Sequence, residues 1–291
     1  MNHDDAFATL LAGMRPRLHR YCARMTGSTI DGEDVVQETL IKALAVRSSV
    51  ADIANIEGWL FRVAHNASLD FLRARARTQE IPLSEDMEPG TELPQSDIVA
   101  VGFRTFLQLA VLQRCAVILK DVLGHSVEEI AEVADCSVPA AKSALQRGRQ
   151  RLRELVAQGG DRPGPVPLSD DDHERLRHYV ARFQAGDFDA IRRMLADDAR
   201  LDLVNRLKLQ GRKEVDFYFT RYAEAVHWRF APGAVEGRPA MLVYDARGPM
   251  DQPAHFVLLT WREEGVARIR DYLFAPYVME TADWVRLDSI S

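Results

Sequence analysis

Residues 125–152 read HSVEEIAEVADCSVPAAKSALQRGRQRL, and this stretch decides the local fold. Ser126 and Glu129 have the spacing of a capping box, which predicts the start of a helix. Asp135 falls where a tight turn needs a left-handed residue, a conformation that aspartate tolerates. Ser137 predicts the cap of a second helix, and Pro139 fits its first turn. The stretch therefore predicts a helix-turn-helix.

The second helix of this motif has a basic face. Five basic residues lie between Lys142 and Arg153, with no acid before Glu154. Such a helix suits the major groove of DNA, although a solvated basic surface is the alternative interpretation. The residues predicted to contact duplex DNA are Ser137, Pro139, Ala140, Lys142, Ser143, Gln146, Arg147 and Arg149.

The bulk composition is that of a globular protein of two or three domains. The chain has 291 residues, a net charge of −6 and 47% hydrophobic residues. It lacks an apolar run of about 18 residues and a secretory signal, so we predict no membrane contact and a cytoplasmic location. The three cysteines have no metal-ligand spacing. We predict reduced thiols, no metal and no cofactor.

The charge is concentrated in one segment. Residues 78–99 contain six acids and no Lys or Arg, which equals the net charge of the whole chain. Together with three prolines, this composition predicts an extended linker. Residues 158–169, rich in Gly and Pro, predict a second linker. The flanking segments are predicted as two all-α modules, 1–77 and 100–157, and an α+β domain at 170–291.

The first module contains an acidic helix. Residues 33–40 read EDVVQETL, Gly27 predicts the end of the preceding helix, and Asp31 is predicted as the N-cap. Because DNA phosphates would repel this helix, its partner should be a protein. An acidic face that only contacts water is the alternative.

The first 157 residues resemble the extracytoplasmic-function (ECF) sigma factors of bacterial RNA polymerase. Residues 18–44, LHRYCARMTGSTIDGEDVVQETLIKAL, resemble regions 2.1–2.2; residues 57–77, EGWLFRVAHNASLDFLRARAR, resemble regions 2.3–2.4; residues 112–155 resemble region 4. Region 4 departs from the family pattern at residues 109–114, which read LAVLQR, and at Asp135, Ala141 and Ala144. Gly148 also interrupts its basic helix, which costs about 1 kcal/mol against Ala. The resemblance implies promoter-directed transcription initiation and no enzymatic activity.

The resemblance implies two partners, core RNA polymerase and promoter DNA. It assigns the acidic helix to the clamp helices of the largest polymerase subunit, with region 4 near the flap. The residues expected to face polymerase are Asp34, Gln37, Glu38 and Lys42. The acidic linker is expected to thread the RNA exit path, where its charge imitates RNA, or to be a plain tether.

The same resemblance gives the helix predicted over 56–77 the task of holding the opened −10 element. Trp59 is either a stacking wedge or, with greater weight, a core residue, and Asp70 either contacts DNA or forms a salt bridge. The residues expected to contact this DNA are Asn66, Asp70, Arg73, Arg75 and Arg77.

The C-terminal part resembles the SnoaL-like cone of the nuclear transport factor 2 superfamily. The resemblance rests on residues 182–203, 211–215 and 268–274. A cone of this type encloses a pocket for a small molecule, and in some ECF groups such a domain modulates the sigma factor. The residues expected to line it are Asp202, Asn205, Tyr218, Trp228, Tyr244, Trp261, Arg270 and Asp271, with His255 assisting.

Two other functions remain open at this point. One is a SnoaL-like isomerase or hydrolase fused to a DNA-binding module. The other is a helix-turn-helix repressor, which would have no use for a polymerase-docking helix. The sequence does not specify the promoter, the inducing signal, the ligand, the oligomeric state or the sign of the C-terminal domain's action.

Overall fold

The computed structural model describes residues 3–46, 53–79, 102–158 and 168–287, apart from 213, 216, 217, 220, 221, 223–226 and 264. The chain forms two compact units, Met1–Arg162 and Pro163–Ser291. Residues 80–99 and 159–167 of the predicted linkers lie outside the described residues, so both linkers stay predictions.

The described residues of the N-terminal unit are helical. Ser28 caps the second helix by accepting a hydrogen bond from the Asp31 amide at 3.1 Å. The prediction of Asp31 as the cap was wrong, because Gly27, at φ +74°, ends the first helix only one residue earlier. The helices are α1 His3–Thr26, α2 Thr29–Ala45, α3 Ile56–Gln79, α4 Phe103–Phe106, α5 Val111–Val117 with a π-turn at Ile118–Val122, α6 Val127–Val133 and α7 Val138–Ala157.

The helix-turn-helix forms as predicted from α6 and α7. The Ser126 side chain accepts from the Glu129 amide at 3.1 Å, and the Glu129 carboxylate accepts from the Ser126 amide at 2.7 Å. Asp135 adopts φ +51° in the turn. Gly148 of α7 is needed for packing, since a Cβ there would lie 2.7 Å from Val117 Cγ2.

One hydrophobic core serves all the main helices of the N-terminal unit. It runs from Phe7 of α1 through Phe61 of α3 and Val117 of α5 to Leu155 of α7. The segments predicted as separate modules, 1–77 and 100–157, therefore pack together in this structure.

The C-terminal unit combines helices with a mixed sheet and confirms the predicted α+β class. Its described residues form a seven-stranded sheet of order β2-β1-β6-β5-β4-β3-β7, in which only β1 and β6 pair in parallel. Helices precede the sheet, as the SnoaL-like resemblance implied. The elements are α8 Asp170–Gln184, α9 Phe188–Arg193, β1 Leu195–Leu203, β2 Leu207–Gln210, β3 Trp228–Val235, β4 Arg238–Asp245, β5 His255–Arg262, β6 Gly265–Asp271, a 3-10 turn Pro276–Val278 and β7 Trp284–Arg286.

The two faces of this sheet are distinct because side chains alternate along each strand. Leu201, Val243, Val257 and Ile269 belong to the core that packs against α8 and the helical residues between β2 and β3. We call this the helix-covered face. The residues between them in sequence point to the opposite face.

Candidate functional site

The exposed face of α2 is polar at its edges and apolar in its middle. Glu38 and Lys42 are exposed and form an ion pair of 2.7 Å, while Asp34 and Gln37 are half-buried. Ile41 is 61% exposed and lies between them along the helix. Leu44, 45% exposed, continues the apolar part. Sequence reasoning missed both apolar residues, although they fall outside the buried helical stripe.

Not every acid of α2 faces outward. Glu33 is 1% exposed and accepts a hydrogen bond from Arg15 of α1 at 3.0 Å. This ion pair fixes α2 against α1, so the acidic stretch has a structural part and a displayed part.

A stripe of polar side chains runs along the outside of α3. Asn66, Asp70, Arg73 and Arg77 are exposed at spacings that place them on one side of the helix. Asp70 forms the predicted salt bridge, to Arg73 at 3.2 Å, which leaves its outer surface open to solvent.

Arg75 is oriented differently from the rest of this predicted set. It is half-buried, donates to the Thr26 carbonyl at 3.4 Å and lies 3.6 Å from the Asp31 carboxylate. It therefore links α3 to the corner between α1 and α2. Trp59 is half-buried against the hydrophobic core, in agreement with the core interpretation.

The N-terminal half of α7 displays the predicted DNA-reading face. Pro139, Lys142, Ser143 and Gln146 are exposed and recur at helical spacing, and the capping residue Ser137 is exposed beside them. Ala140 and Arg147 are half-buried at the edges of this face. We call these seven residues the α7 face.

Arg149 is held against the protein. Its Nε and NH2 donate to the two carboxylate oxygens of Asp121 at 3.0 and 2.5 Å, and the Asp121 side chain is 0% exposed. A bidentate pair of this kind fixes the guanidinium in place. The structure therefore gives Arg149 a packing role between α7 and the preceding π-turn.

Regions 2 and 4 meet through buried polar groups as well as through the apolar core. The Tyr21 hydroxyl lies 2.7 Å from His65 Nδ1 and donates to Cys115 Sγ at 3.3 Å. Arg114 donates to the Met25 carbonyl at 2.6 Å. Burial lowers the pKa of His65 to about 4, because the charged imidazole would lose its hydration.

A second imidazole lies at the same contact. His125 is 4% exposed, packs edge-on against Phe61 of α3 at 4.8 Å, and lies 3.7 Å from Glu129 and 3.9 Å from Glu57. Burial lowers its pKa, although both carboxylates and the more distant Arg17 modify the effect.

The residues predicted to line one pocket in the C-terminal unit lie on two faces of the sheet. Tyr218, Trp228, Trp261 and Asp271 belong to the helix-covered face. The alternation of β1, β4 and β6 directs the others to the opposite face, where Asp202 pairs with Arg270 at 3.5 Å and Tyr244 packs against Arg286. Asn205 is in a turn at φ +72° and donates to the Phe274 carbonyl at 3.0 Å.

A compact polar cluster lies on the helix-covered face. Asp271 is 0% exposed and accepts from the hydroxyls of Tyr218 at 2.9 Å and Tyr222 at 2.7 Å. His255 Nε2 lies 3.1 Å from the Tyr222 hydroxyl and 3.6 Å from the Asp271 carboxylate. We call these four residues the Asp271 cluster. Sequence reasoning missed Tyr222, which lies one helical turn after Tyr218.

Burial controls the ionisation of this cluster. It raises the pKa of Tyr218 and Tyr222 well above the usual value, and the negative charge of Asp271 adds to that effect. It lowers the pKa of His255, which Asp271 partly opposes. Both tyrosines are therefore hydrogen-bond donors at neutral pH.

Two further features bear on what the chain can bind. None of the helices in the described ranges is long and apolar enough to cross a membrane. Across those ranges, no three His, Cys, Asp or Glu side chains gather closely enough to hold a metal ion.

Comparison with known proteins identifies both halves of the N-terminal unit. Family models for Sigma-70 region 2 and Sigma-70, region 4 match residues 10–78 and 104–152. The ECF RNA polymerase sigma factor SigM of Mycobacterium tuberculosis is 32% identical over 153 residues, which cover 52% of this chain and 77% of SigM.

A second relative extends past the N-terminal unit. The ECF RNA polymerase sigma factor SigG of Mycobacterium tuberculosis is 26% identical over 296 aligned residues, covering 89% of this chain and 79% of SigG. Among solved structures, the extracytoplasmic function sigma factor SigJ of Mycobacterium tuberculosis is similar over 91% of this chain and 95% of SigJ, with 21% identity and a TM-score of 0.36.

Proposed function

Because this chain belongs to the ECF sigma factor family, we propose that it binds core RNA polymerase and directs it to promoters that its own helices recognise. The observation that carries the proposal is that each matched sigma region presents an open polar helix face: α2 and α3 in region 2, and α7 in region 4. The sigma factor family is not a family of enzymes, and these faces are suited to recognition.

The face of α2 is proposed to dock on the clamp helices of polymerase. Ile41 and Leu44 supply an apolar centre, and Asp34, Glu38 and Lys42 supply a charged rim. Protein interfaces commonly have this anatomy, in which a few central side chains contribute most of the binding energy. The rim carboxylates orient the complex by pairing with arginines of the partner.

Two variants test this docking. Ile41→Ser removes the apolar centre, and we expect it to weaken binding to core polymerase by at least about 30-fold, equivalent to about 2 kcal/mol. Asp34→Lys combined with Glu38→Lys reverses the rim and should mainly slow association. Asp189→Lys, an exposed helical acid of the C-terminal unit, is the matched control. Unchanged polymerase affinity in both α2 variants would contradict the proposed docking face.

The stripe on α3 and the α7 face are proposed to contact the −10 and −35 elements. Asn66 offers an amide to an exposed base edge, and Arg73 and Arg77 are placed for phosphates. On α7, Lys142 and Gln146 are the long side chains able to reach base edges in the major groove. Arg149 is left out of this set because Asp121 holds it.

Simultaneous contact with both elements requires the N-terminal unit to open. The two regions share one core here, whereas the two elements lie apart along the promoter. Polymerase and DNA must therefore bind the open form more tightly than the closed form. The buried Cys115 reports this change, because it sits at the contact between the two regions, hydrogen-bonded by Tyr21.

Alkylation kinetics measure the opening. Burial raises the pKa of the Cys115 thiol to about 12, so Cys115 should react slowly in the free protein. We expect polymerase and promoter DNA to accelerate its alkylation, while Cys22, buried within region 2, stays protected. Equal protection of Cys115 in the free and assembled protein would show that the shared core stays closed.

The C-terminal unit is proposed to modulate sigma activity from within the same chain. Its separate core supports a role as an added control domain. Deletion of residues 165–291 should leave promoter-directed transcription intact but change its strength. If instead the chain were an isomerase or hydrolase carried by a DNA-binding module, neither form would stimulate core polymerase.

A further inference from the structure

The Asp271 cluster is an expensive arrangement for a purely structural core. A fully buried carboxylate loses several kcal/mol of hydration, and no Lys or Arg among the described residues pairs with Asp271. Its three hydrogen bonds come from Tyr218, Tyr222 and the Leu273 amide, the last at 2.9 Å. Apolar residues of the same volume would fill this space at least as well. Clusters of this kind are concentrated at functional sites.

An independent observation concerns Tyr179 of α8. Its side chain is 0% exposed, and its hydroxyl has no hydrogen-bond partner among the residues that the structure describes. Burial raises its pKa, and the nearby charge of Asp271 raises it further, so the hydroxyl keeps its proton. An unpaired buried hydroxyl costs about 1–3 kcal/mol, which an acceptor on a bound molecule would recover.

Aromatic rings surround these polar groups. Phe183 packs edge-on against Tyr222 at 5.1 Å and against Phe230 at 4.8 Å. Trp228 packs edge-on against His255 at 5.2 Å. Edge-to-face walls of this type favour flat, unsaturated molecules over aliphatic ones.

The aromatic wall is also where the site meets solvent. Trp228 and Phe230, on β3, are half-buried, whereas Tyr218, Tyr222, His255 and Asp271 are buried. A molecule entering beside β3 would pass the half-exposed rings first and reach the polar groups behind them.

We infer that Tyr179, the Asp271 cluster and the rings of Trp228 and Phe230 form a binding site for a small, flat aromatic molecule bearing a phenolic or carbonyl oxygen. The oxygen accepts a hydrogen bond from Tyr179, and the ring system packs against the aromatic wall. The inference deepens the proposed function, since occupancy of this site is then the signal that the C-terminal unit transmits.

Calorimetry on the full-length protein tests the site with two probes of the same shape. 2-Naphthol carries the phenolic oxygen, and 2-methylnaphthalene lacks it. We expect 2-naphthol to bind saturably and about tenfold more tightly, the ratio expected for one hydrogen bond to an otherwise unpaired group. Absence of saturable 2-naphthol binding would overturn the inference.

Variants locate the interaction. Tyr179→Phe removes only the hydroxyl and should abolish the preference for 2-naphthol, whereas Tyr244→Phe, a buried tyrosine on the opposite face of the sheet, should retain it. An undiminished preference in Tyr179→Phe would overturn the inference. Trp228→Leu, at a half-buried position, should weaken both probes, and equal binding by this variant would also count against the site.

The outcome is separable from that of the proposed function. Probe binding is measured without polymerase, and polymerase binding is measured without a probe. A chain that binds polymerase but neither probe would be a sigma factor without this site. A chain that binds 2-naphthol but not polymerase would keep the site and lose the sigma assignment.

Discussion

The N-terminal unit displays the polar groups proposed for recognition, whereas the C-terminal unit buries its polar cluster. Lys142 and Gln146 lie on an open helix face, and neither side chain is needed to hold the helix in place. Asp271 and Tyr222 lie inside a hydrophobic core and depend on each other for hydrogen bonds. Displayed groups can therefore change with little effect on stability, while buried groups combine stability with any binding role.

The largest effect is expected where a predicted surface residue proves to be held from beneath. Arg149→Ala leaves the fully buried Asp121 without its partner, which should lower the free energy of unfolding by about 3–5 kcal/mol. Arg151→Ala, which loses only an exposed pair with Glu154, is the control and should cost at most about 0.5 kcal/mol. Urea denaturation measures both. If Arg149→Ala were as stable as Arg151→Ala, Arg149 would belong with the displayed residues.

The buried histidines predict a marked loss of stability in acid. The pKa of His65 is about 4 in the folded protein and 6.5 when unfolded, so the unfolded state takes up the proton first as the pH falls. Stability is complete above pH 6.5 and declines toward pH 4, by about 3 kcal/mol for this residue. His65→Gln should flatten the decline of N-terminal unit stability across this window. An identical pH profile in the variant would show that His65 is not buried in its neutral form.

A smaller loss is expected within the Asp271 cluster. Tyr222→Phe removes one of the two hydroxyl donors to the carboxylate, and hydrogen bonds to charged groups contribute about 1.5–3 kcal/mol. Thermal unfolding of the C-terminal unit should detect this loss. Tyr244→Phe, on the other face, is the matched control. A Tyr222→Phe protein as stable as the control would mean that the carboxylate does not depend on this hydrogen bond.

The smallest effect on stability, within about 0.5 kcal/mol, is expected for Lys142→Gln. The same variant should weaken binding to duplex DNA selected from a random pool, and the slope of log K against log salt should fall by about 0.9 if Lys142 contacts one phosphate. Arg193→Gln, an exposed position in the C-terminal unit, makes the same change in charge. If both variants bound DNA equally well, the α7 face would lose its assigned role.

Helix faces were predictable from the sequence because spacing and capping residues define them locally. The capping box at Ser126, the left-handed Asp135 and the exposed positions of Lys142 and Gln146 were all predicted correctly. Arg149 looked equivalent to Lys142, two turns earlier on the helix. Its partner Asp121 precedes it by 28 residues, and nothing in the helical pattern predicts that contact.

The C-terminal unit was predictable only in its class. Its predicted pocket grouped Arg270 with Asp271, although adjacent residues of a strand point to opposite faces, so alternation alone should have separated them. The pairing of Tyr222 with His255 could not be predicted in this way. It depends on how a helix lies across the sheet, which the spacing of residues along the chain does not determine.

Mapping the 5′ ends of RNA made by core RNA polymerase on genomic DNA, with and without this protein, tests the central claim most directly. We predict that the full-length chain produces discrete start sites sharing upstream −10 and −35 sequences. Ile41→Ser should remove these starts, and Asp189→Lys should keep them. A set of start sites identical to that of core polymerase alone would contradict the assignment of this chain as a working sigma factor.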